Sequence, residues 1–173
     1  MINNMNKQSS LKKLKILSLD EAILYVPSED TIAIRIKSTS KSLYPNLSDK
    51  FKSQQTFYFD DVDIERQEIP TSEQKIINPE IALSLVKYVD ANIRNIEELM
   101  IHCYMGIRRS AATGLAIVEG FGLNIDTHHL LNPPKHYPNV HVYKTILNTI
   151  GQYFNKPVNY LHLNDLLNLK WKE

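Results

Sequence analysis

Residues 98–121 read ELMIHCYMGIRRSAATGLAIVEGF, and this stretch decides the fold. Its first part, Glu98–His102, is apolar enough to predict a short buried strand. The run after Arg109 begins with small residues, has helical character and is interrupted by Gly120 and Gly122, which favours a helix that ends there. The order of strand, tight loop and helix is typical of an α/β protein.

The rest of the chain continues this alternation of short strands and helices. Asn78 followed by Pro79 predicts the start of a helix that ends near Asn95. Further strands are predicted at 15–17, 23–26, 31–36 and 56–59, and further helices at 139–154 and 164–171, with a surface loop over 37–55. Such alternation predicts an α/β fold, with a mostly parallel central sheet of four to five strands flanked by helices.

Length and composition indicate one compact domain. The chain has 173 residues, of which 43% are apolar, and we expect a single domain over 14–173 behind a disordered or loosely ordered tail over 1–13. A net charge of +1 argues against broad binding to nucleic acid or to an anionic membrane. No apolar run approaches the roughly 18 residues of a membrane span, so a soluble cytoplasmic protein is the expectation. The oligomeric state is left open.

The chain contains one cysteine, Cys103. A single thiol can form neither an internal disulfide nor a thiolate-rich metal site, so it is either a small core residue or a reactive group. The histidines outside the opening stretch show no ligand spacing and are predicted to have surface or capping roles: His128, His129, His136, His141 and His162. We therefore predict no metal. Trp171 is expected to tether the last helix.

The loop between the predicted strand and helix has the features of an anion site. Its backbone N–H groups can point inward, and the following helix adds the positive end of its dipole, so that phosphate fits and the thiolate form of Cys103 is favoured. Gly106 lets the loop bend. Arg109 can place a planar guanidinium on two phosphate oxygens. The residues predicted to bind the substrate are those of the loop itself: Tyr104, Met105, Gly106, Ile107 and Arg108.

The nonapeptide HCYMGIRRS, residues 102–110, resembles the signature of the cysteine-based protein tyrosine phosphatase superfamily at all its fixed positions. The likeness is closest to small bacterial proteins of the dual-specificity type. It extends to TFYFDDVD before the long helix and to LLNPPKHYPN after the signature helix. The resemblance implies a protein tyrosine phosphatase-like fold and a two-step hydrolysis through a cysteinyl phosphate that requires no metal and no organic cofactor. It also implies that Ser110 helps the thiolate to leave and that His102 orders the loop and tunes the thiol.

The resemblance further implies an aspartic acid that protonates the leaving group, upstream of the signature. We predict Asp61, because it follows Phe57 and Phe59 in the alternating strand, and Asp60 and Asp63 remain alternatives. The spacing from this acid to the cysteine is longer than is common in the family, so 64–77 is predicted to form an extended acid loop. Arg108 also departs from the family pattern, where a small residue is commoner, and would add positive charge at the mouth of the pocket.

The predicted function is hydrolysis of phosphotyrosine or other phosphomonoesters, with a phosphorylated protein or a small phosphate ester as substrate. Two alternatives stay open: a pseudophosphatase that binds phosphate without turnover, and a phosphatase for phosphoinositides or other small esters. A rhodanese-type sulfur carrier also holds a cysteine in an anion cradle, but Gly106 and the Arg109–Ser110 pair favour the phosphatase.

Overall fold

The computed structural model describes residues 10–39 and 44–171 of the chain. Its centre is a sheet of four parallel strands in the order β1-β4-β2-β3. The strands are β1 (Lys13–Leu17), β2 (Thr31–Lys37), β3 (Ser53–Tyr58) and β4 (Glu98–His102). The prediction of an α/β fold with a parallel sheet of four to five strands is confirmed.

Five α-helices flank the sheet among the described residues. They are α1 (Leu19–Leu24), α2 (Pro79–Asn92), α3 (Arg109–Phe121), α4 (Val140–Tyr153) and α5 (Leu163–Asn168). Helix α4 packs against both α2 and α3, and α3 also contacts β1 and β4. Almost every side chain of α3 is buried, so this helix lies at the centre of the molecule.

The two faces of the sheet bury unequal cores because side chains alternate along each strand. Ile32, Ile34 and Ile36 of β2 point into the large core, which includes residues of α2, α3 and α4. Ala33 and Met100 point to the other face and pack in a smaller cluster with Ala22, Leu47 and Phe51. The large core therefore fixes α3 against the sheet.

Polar side chains begin the helices that surround the site. The Asn78 side chain accepts a hydrogen bond from Ile81 N at 2.9 Å and begins α2, with Pro79 at the first helical position. The Asn139 side chain accepts one from Val142 N at 3.0 Å and begins α4. Both starts are where the sequence predicts them.

Two predicted features differ from the structure near the N-terminus. The predicted strand at 23–26 is wrong, because Ser18 and Glu21 form a capping box that starts α1 there. Strand β1 begins at Lys13, inside the predicted tail, and Ser10 Oγ donates to Ile96 O at 2.7 Å just before it. Residues 1–9 of that tail lie outside the described residues.

The predicted surface loop over 37–55 is only partly correct. Strand β3 already begins at Ser53, and Tyr44, Leu47 and Phe51 are buried under the sheet. Leu47 and Phe51 therefore cover the smaller core. The polar composition of the segment did not predict this role. Residues 40–43 lie outside the part of the chain that the structure describes.

The topology brings three chain segments to one edge of the sheet. Since the strands are parallel, their carboxyl ends meet there, together with the N-terminus of α3. Ser38 follows β2, Phe59 and Asp61 follow β3, and Cys103 follows β4. No helix in the described ranges is long and apolar enough to cross a bilayer.

Candidate active site

Cys103 lies directly after β4 and is only 2% exposed. Its sulfur is 3.2 Å from Ser110 Oγ, and Gly106 N donates a hydrogen bond to it at 3.3 Å. The sulfur is therefore held between the loop backbone and the first turn of α3. A backbone N–H and a hydroxyl in these positions can both donate to an anionic sulfur.

Gly106 has a backbone conformation that the loop requires. Its φ is +73°, in the left-handed region that other residues rarely adopt. A Cβ atom built on it would lie 2.6 Å from Ser18 N and 2.7 Å from the carbonyl carbon of Leu17. The loop can approach the junction of β1 and α1 only because this side chain is absent.

The guanidinium of Arg109 is buried and only partly satisfied. Its Nη1 donates to Phe59 O at 2.8 Å and to Ser38 Oγ at 3.0 Å, which fixes the group against the ends of β3 and β2. Its Nε is buried and has no hydrogen-bond partner among the described residues. A buried donor without a partner is costly, so this nitrogen is suited to a bound acceptor.

The N-terminus of α3 lies at the same site as Cys103 and the Arg109 guanidinium. The helix begins at Arg109, and no side chain caps it. The first N–H groups of a helix have no partner within the helix and carry the positive end of its dipole. They add donors for an anion close to Cys103 and Arg109.

The structure places the three candidates for the proton donor, Asp60, Asp61 and Asp63, in different surroundings. Asp61 lines a pocket of about 110 Å³ together with Cys103 and Arg109. Its Oδ1 accepts a hydrogen bond from Asn139 Nδ2 at 2.9 Å and lies 3.5 Å from Arg108 Nε. Asp61 is thus positioned beside the sulfur and the guanidinium.

Asp60 is engaged elsewhere. Its carboxylate accepts hydrogen bonds from the Thr39 hydroxyl, from Thr39 N at 3.2 Å and from Lys75 N at 2.9 Å. Burial by itself raises the pKa of Asp60, but the hydrogen bonds from Thr39 and Lys75, with Arg109 nearby, lower it below its usual value. This carboxyl therefore stays ionised and occupied.

Asp63 has a structural position at the start of α4. Its fully buried carboxylate accepts hydrogen bonds from Val140 N at 2.7 Å and His141 N at 3.1 Å, and it pairs with Arg66 at 2.7 Å. Neither Asp60 nor Asp63 lines the pocket that contains Cys103.

Arg108 is compensated by three carboxylates. It pairs with Glu68 at 2.6 Å, and lies 3.5 Å from Asp61 and 3.9 Å from Asp63. Burial alone would lower the pKa of Arg108, but these neighbours outweigh it and raise the pKa. The predicted gain of positive charge at the pocket mouth is therefore offset, by Glu68 of the extended acid loop and by Asp61 and Asp63 before it.

His102 is fully buried beneath the loop. Its Nδ1 is 3.4 Å from Cys103 O, and its Nε2 has no partner among the described residues. Burial lowers the pKa of His102 to about 4, and the weaker influence of Cys103 O in the opposite direction does not restore it. The imidazole is therefore neutral near pH 7 and touches the main chain of the loop.

The remaining predicted substrate-binding residues differ in position. Met105, Ile107 and Arg108 line the pocket with Cys103, whereas Tyr104 is not in its lining and is exposed. Tyr104 instead anchors the loop through its carbonyl, which accepts a hydrogen bond from Leu19 N at 3.0 Å.

Trp171 forms part of the pocket wall, which the sequence did not indicate. Its ring contacts Tyr137 edge-on, with centroids 5.4 Å apart, and Tyr137 OH donates to Leu169 O at 3.3 Å. The expected tethering contact is present, and it also places Trp171 in the lining of the pocket that contains Cys103. No local sequence signal could reveal this, since the contact joins distant segments.

Two further residues at the site were missed. Asn139 was predicted only as the start of a helix, yet its amide also holds Asp61. His136 was predicted at the surface or as a cap, but it is 4% exposed and its Nδ1 is 3.1 Å from Gly106 O. Both residues lie in the segment LLNPPKHYPN, so its likeness to the phosphatase stretch after the signature helix was the available signal.

The chain matches no protein-family model, no curated protein and no solved structure. Among the described residues, no group of three or more His, Cys, Asp or Glu side chains is placed to hold a metal ion. The interpretation of the site therefore depends on its own geometry.

Proposed function

We propose that this protein is a phosphatase that hydrolyses phosphomonoesters through a cysteinyl phosphate on Cys103. The observation that carries the proposal is the buried Nε of Arg109, which has no hydrogen-bond partner among the described residues, in a side chain that lines the same small pocket as Cys103. A nucleophile, an unsatisfied guanidinium and an uncapped helix N-terminus around one cavity form a site for a reactive oxyanion.

In the first step, the Cys103 thiolate attacks phosphorus and the bond to the leaving oxygen breaks. The guanidinium of Arg109 is fixed through Nη1, so its remaining Nε and Nη2 donors form a fork for two phosphate oxygens. Because the group is held by Phe59 O and Ser38 Oγ before substrate arrives, little reorganisation is needed as charge develops.

Asp61 donates its proton to the leaving oxygen in this step. Its position in the pocket wall and its hydrogen bond from Asn139 support this role over Asp60 and Asp63, which are occupied outside the pocket. In the second step, the Asp61 carboxylate takes a proton from water, which attacks phosphorus as the phosphorus–sulfur bond breaks. Ser110 Oγ donates to the departing sulfur.

The charge of the pocket favours a monoester over a polyphosphorylated headgroup. Arg109 is the pocket cation without a carboxylate partner among the described residues, since Arg108 is paired with Glu68, Asp61 and Asp63. A ligand bearing several phosphates would require more uncompensated cations. The apolar part of the wall, with Met105, Ile107 and Trp171, suits the aromatic ring of an aryl phosphate.

The test is turnover of p-nitrophenyl phosphate in excess EDTA. We expect phosphate release from the wild type, none from Cys103→Ser, and a loss of about 10²-fold or more in kcat/KM for Arg109→Lys. Arg94→Lys is the matched control, because Arg94 is exposed away from the pocket and should retain full activity.

A pseudophosphatase gives a different result. It would bind vanadate through the same residues, and no variant would release phosphate. Retained turnover in Cys103→Ser would also refute the proposal, because the covalent step requires the sulfur.

A further inference from the structure

A second cavity, of about 610 Å³, lies beside the same loop and shares only Met105 with the lining of the pocket around Cys103. Its volume is within the range of about 300 to 1,000 Å³ that is usual for small-molecule sites. One wall is formed by residues 14–17 of β1, and another is the loop at Gly106. The cavity also has five ionisable side chains in its lining: Lys15, Glu21, His129, Lys135 and His136.

The charge of this lining is mainly positive. Neither Lys15 nor Lys135 forms a salt bridge with a described carboxylate. The one carboxylate, Glu21, is already engaged, since it accepts hydrogen bonds from Ser18 N at 2.7 Å and Ser18 Oγ at 2.9 Å. These bonds lower the pKa of Glu21, and Lys135 and His136 lower it further, although burial opposes them.

His136 provides an independent indication of a ligand. The ring is 4% exposed, and its Nδ1 donates to Gly106 O, because a carbonyl oxygen only accepts. Its other nitrogen, Nε2, has no hydrogen-bond partner among the described residues. Because Nδ1 carries the proton of the neutral ring, Nε2 has a free lone pair and is suited to a hydrogen-bond donor, such as a hydroxyl group, that arrives from solution.

The position of β1 adds main-chain groups to the same wall. This strand is at the edge of the sheet and pairs only with β4, so alternate backbone N–H and C=O groups of β1 face away from its partner. Lysines on an edge strand oppose pairing with another strand, which favours a small ligand here over an added peptide.

We propose that this cavity binds a small organic anion whose carboxylate or phosphate group is held by Lys15 and Lys135 and whose hydroxyl group donates to Nε2 of His136. The proposal concerns binding and does not depend on turnover at Cys103. Residues around the cavity also hold the loop that follows Cys103, since Leu19 N donates to Tyr104 O and His136 Nδ1 donates to Gly106 O. Occupancy of the cavity therefore stabilises the loop conformation seen in the structure.

The experiment is isothermal titration calorimetry with two probes that each carry a hydroxyl group, citrate for the carboxylate class and glycerol 3-phosphate for the phosphate class. Vanadate is kept saturating so that the pocket at Cys103 is closed to both. We expect at least one probe to bind the wild type, and the Lys15→Gln/Lys135→Gln double variant to weaken binding about tenfold or more, through the loss of charge-assisted hydrogen bonds. The matched control is Lys50→Gln/Lys87→Gln, whose two lysines are exposed outside the cavity and remove the same charge.

A second measurement follows the ring protons of His136 by NMR during the same titrations. They should shift with the probe that binds and stay unchanged with a probe that does not. Absence of binding by both probes, equal weakening in the control double variant, or binding without a shift at His136 would each overturn the proposal.

Discussion

The substitution Gly106→Ala separates the steric requirement of the loop from its backbone conformation. Gly106 and Gly122 both have positive φ, +73° and +65°. A Cβ at Gly106 would lie 2.6 Å from Ser18 N, whereas a Cβ at Gly122 meets nothing within 4 Å. Gly122→Ala is therefore a matched control that shares the backbone strain without the collision.

The difference between the two variants can be worked out from this geometry. The left-handed conformation costs a residue with a Cβ roughly 1 to 2 kcal/mol in both variants, and the reduced freedom of the unfolded chain is also common to both. The collision at Gly106 involves backbone atoms that cannot rotate away, and forcing an extra carbon into such a contact costs about 1 to 3 kcal/mol more. At about 2 to 4 °C per kcal/mol for a domain of this size, Gly106→Ala should melt about 2 to 12 °C below Gly122→Ala.

Thermal unfolding by circular dichroism measures this difference, and hydrolysis of p-nitrophenyl phosphate measures its effect on the site. We expect Gly106→Ala to lose most activity, because Gly106 N donates to the sulfur of Cys103. Gly122→Ala should retain activity. Equal melting temperatures for the two variants would refute the reasoning, since they would mean that the loop does not contact Ser18 as described.

Three further predictions concern other parts of the site. Asp61→Asn should slow hydrolysis of p-nitrophenyl phosphate by about 10²-fold or more at neutral pH, because the leaving oxygen loses its proton donor. Burial lowers the pKa of His102 to about 4, so the unfolded chain takes up a proton there below about pH 6.5 while the folded protein does not. The free energy of unfolding should therefore fall by up to about 3 kcal/mol as the pH drops from 6.5 to 4, measured by urea unfolding. Trp171→Ala should raise KM for the same ester about 2- to 10-fold with little change in kcat, because one aromatic wall of the pocket is lost.

Each of these predictions has its own control. Asp60→Asn removes a carboxylate outside the pocket, and an equal loss of kcat in that variant would contradict the assignment of Asp61. His102→Gln should have a flatter dependence of unfolding on pH, and parallel curves for variant and wild type would show that another group is responsible. Trp171→Phe should keep a low KM, and a fall in kcat for Trp171→Ala at constant KM would contradict a binding role.

The candidate site was predictable from sequence only where its parts are close together in the chain. Residues 102–110 bring the sulfur, the bending glycine and the arginine into one loop; Cys103 and Arg109 do line one cavity, and Ser110 Oγ is 3.2 Å from the sulfur. The ion pair of Arg108 with Glu68 was not predictable, because Glu68 comes from a loop before α2, far from Arg108 in the chain. The burial of His136 was not predictable either, because its ring contacts Gly106 O, which lies 30 residues earlier in the chain.

The sequence by itself determined the elements whose causes act over a few residues. The strand Glu98–His102, the loop and the helix after it follow from an apolar run, a glycine and a sequence of small residues, and Asn78 and Asn139 cap the next helices through neighbouring N–H groups. Even over a few residues, the apolar run at 23–26 gave a wrong prediction of a strand, because the capping box at Ser18 starts a helix there.

Only the tertiary structure decided which aspartate lines the pocket that contains Cys103. Asp60, Asp61 and Asp63 are chemically alike and adjacent, but Asp63 is bound by the first N–H groups of α4 and Asp60 by Lys75 N. A buried carboxylate without hydrogen bonds is unfavourable, so Asp60 and Asp63 each lie against backbone donors. These donors come from segments far apart in the chain. Asp61 is left beside Cys103 for that reason, and no local pattern contains it.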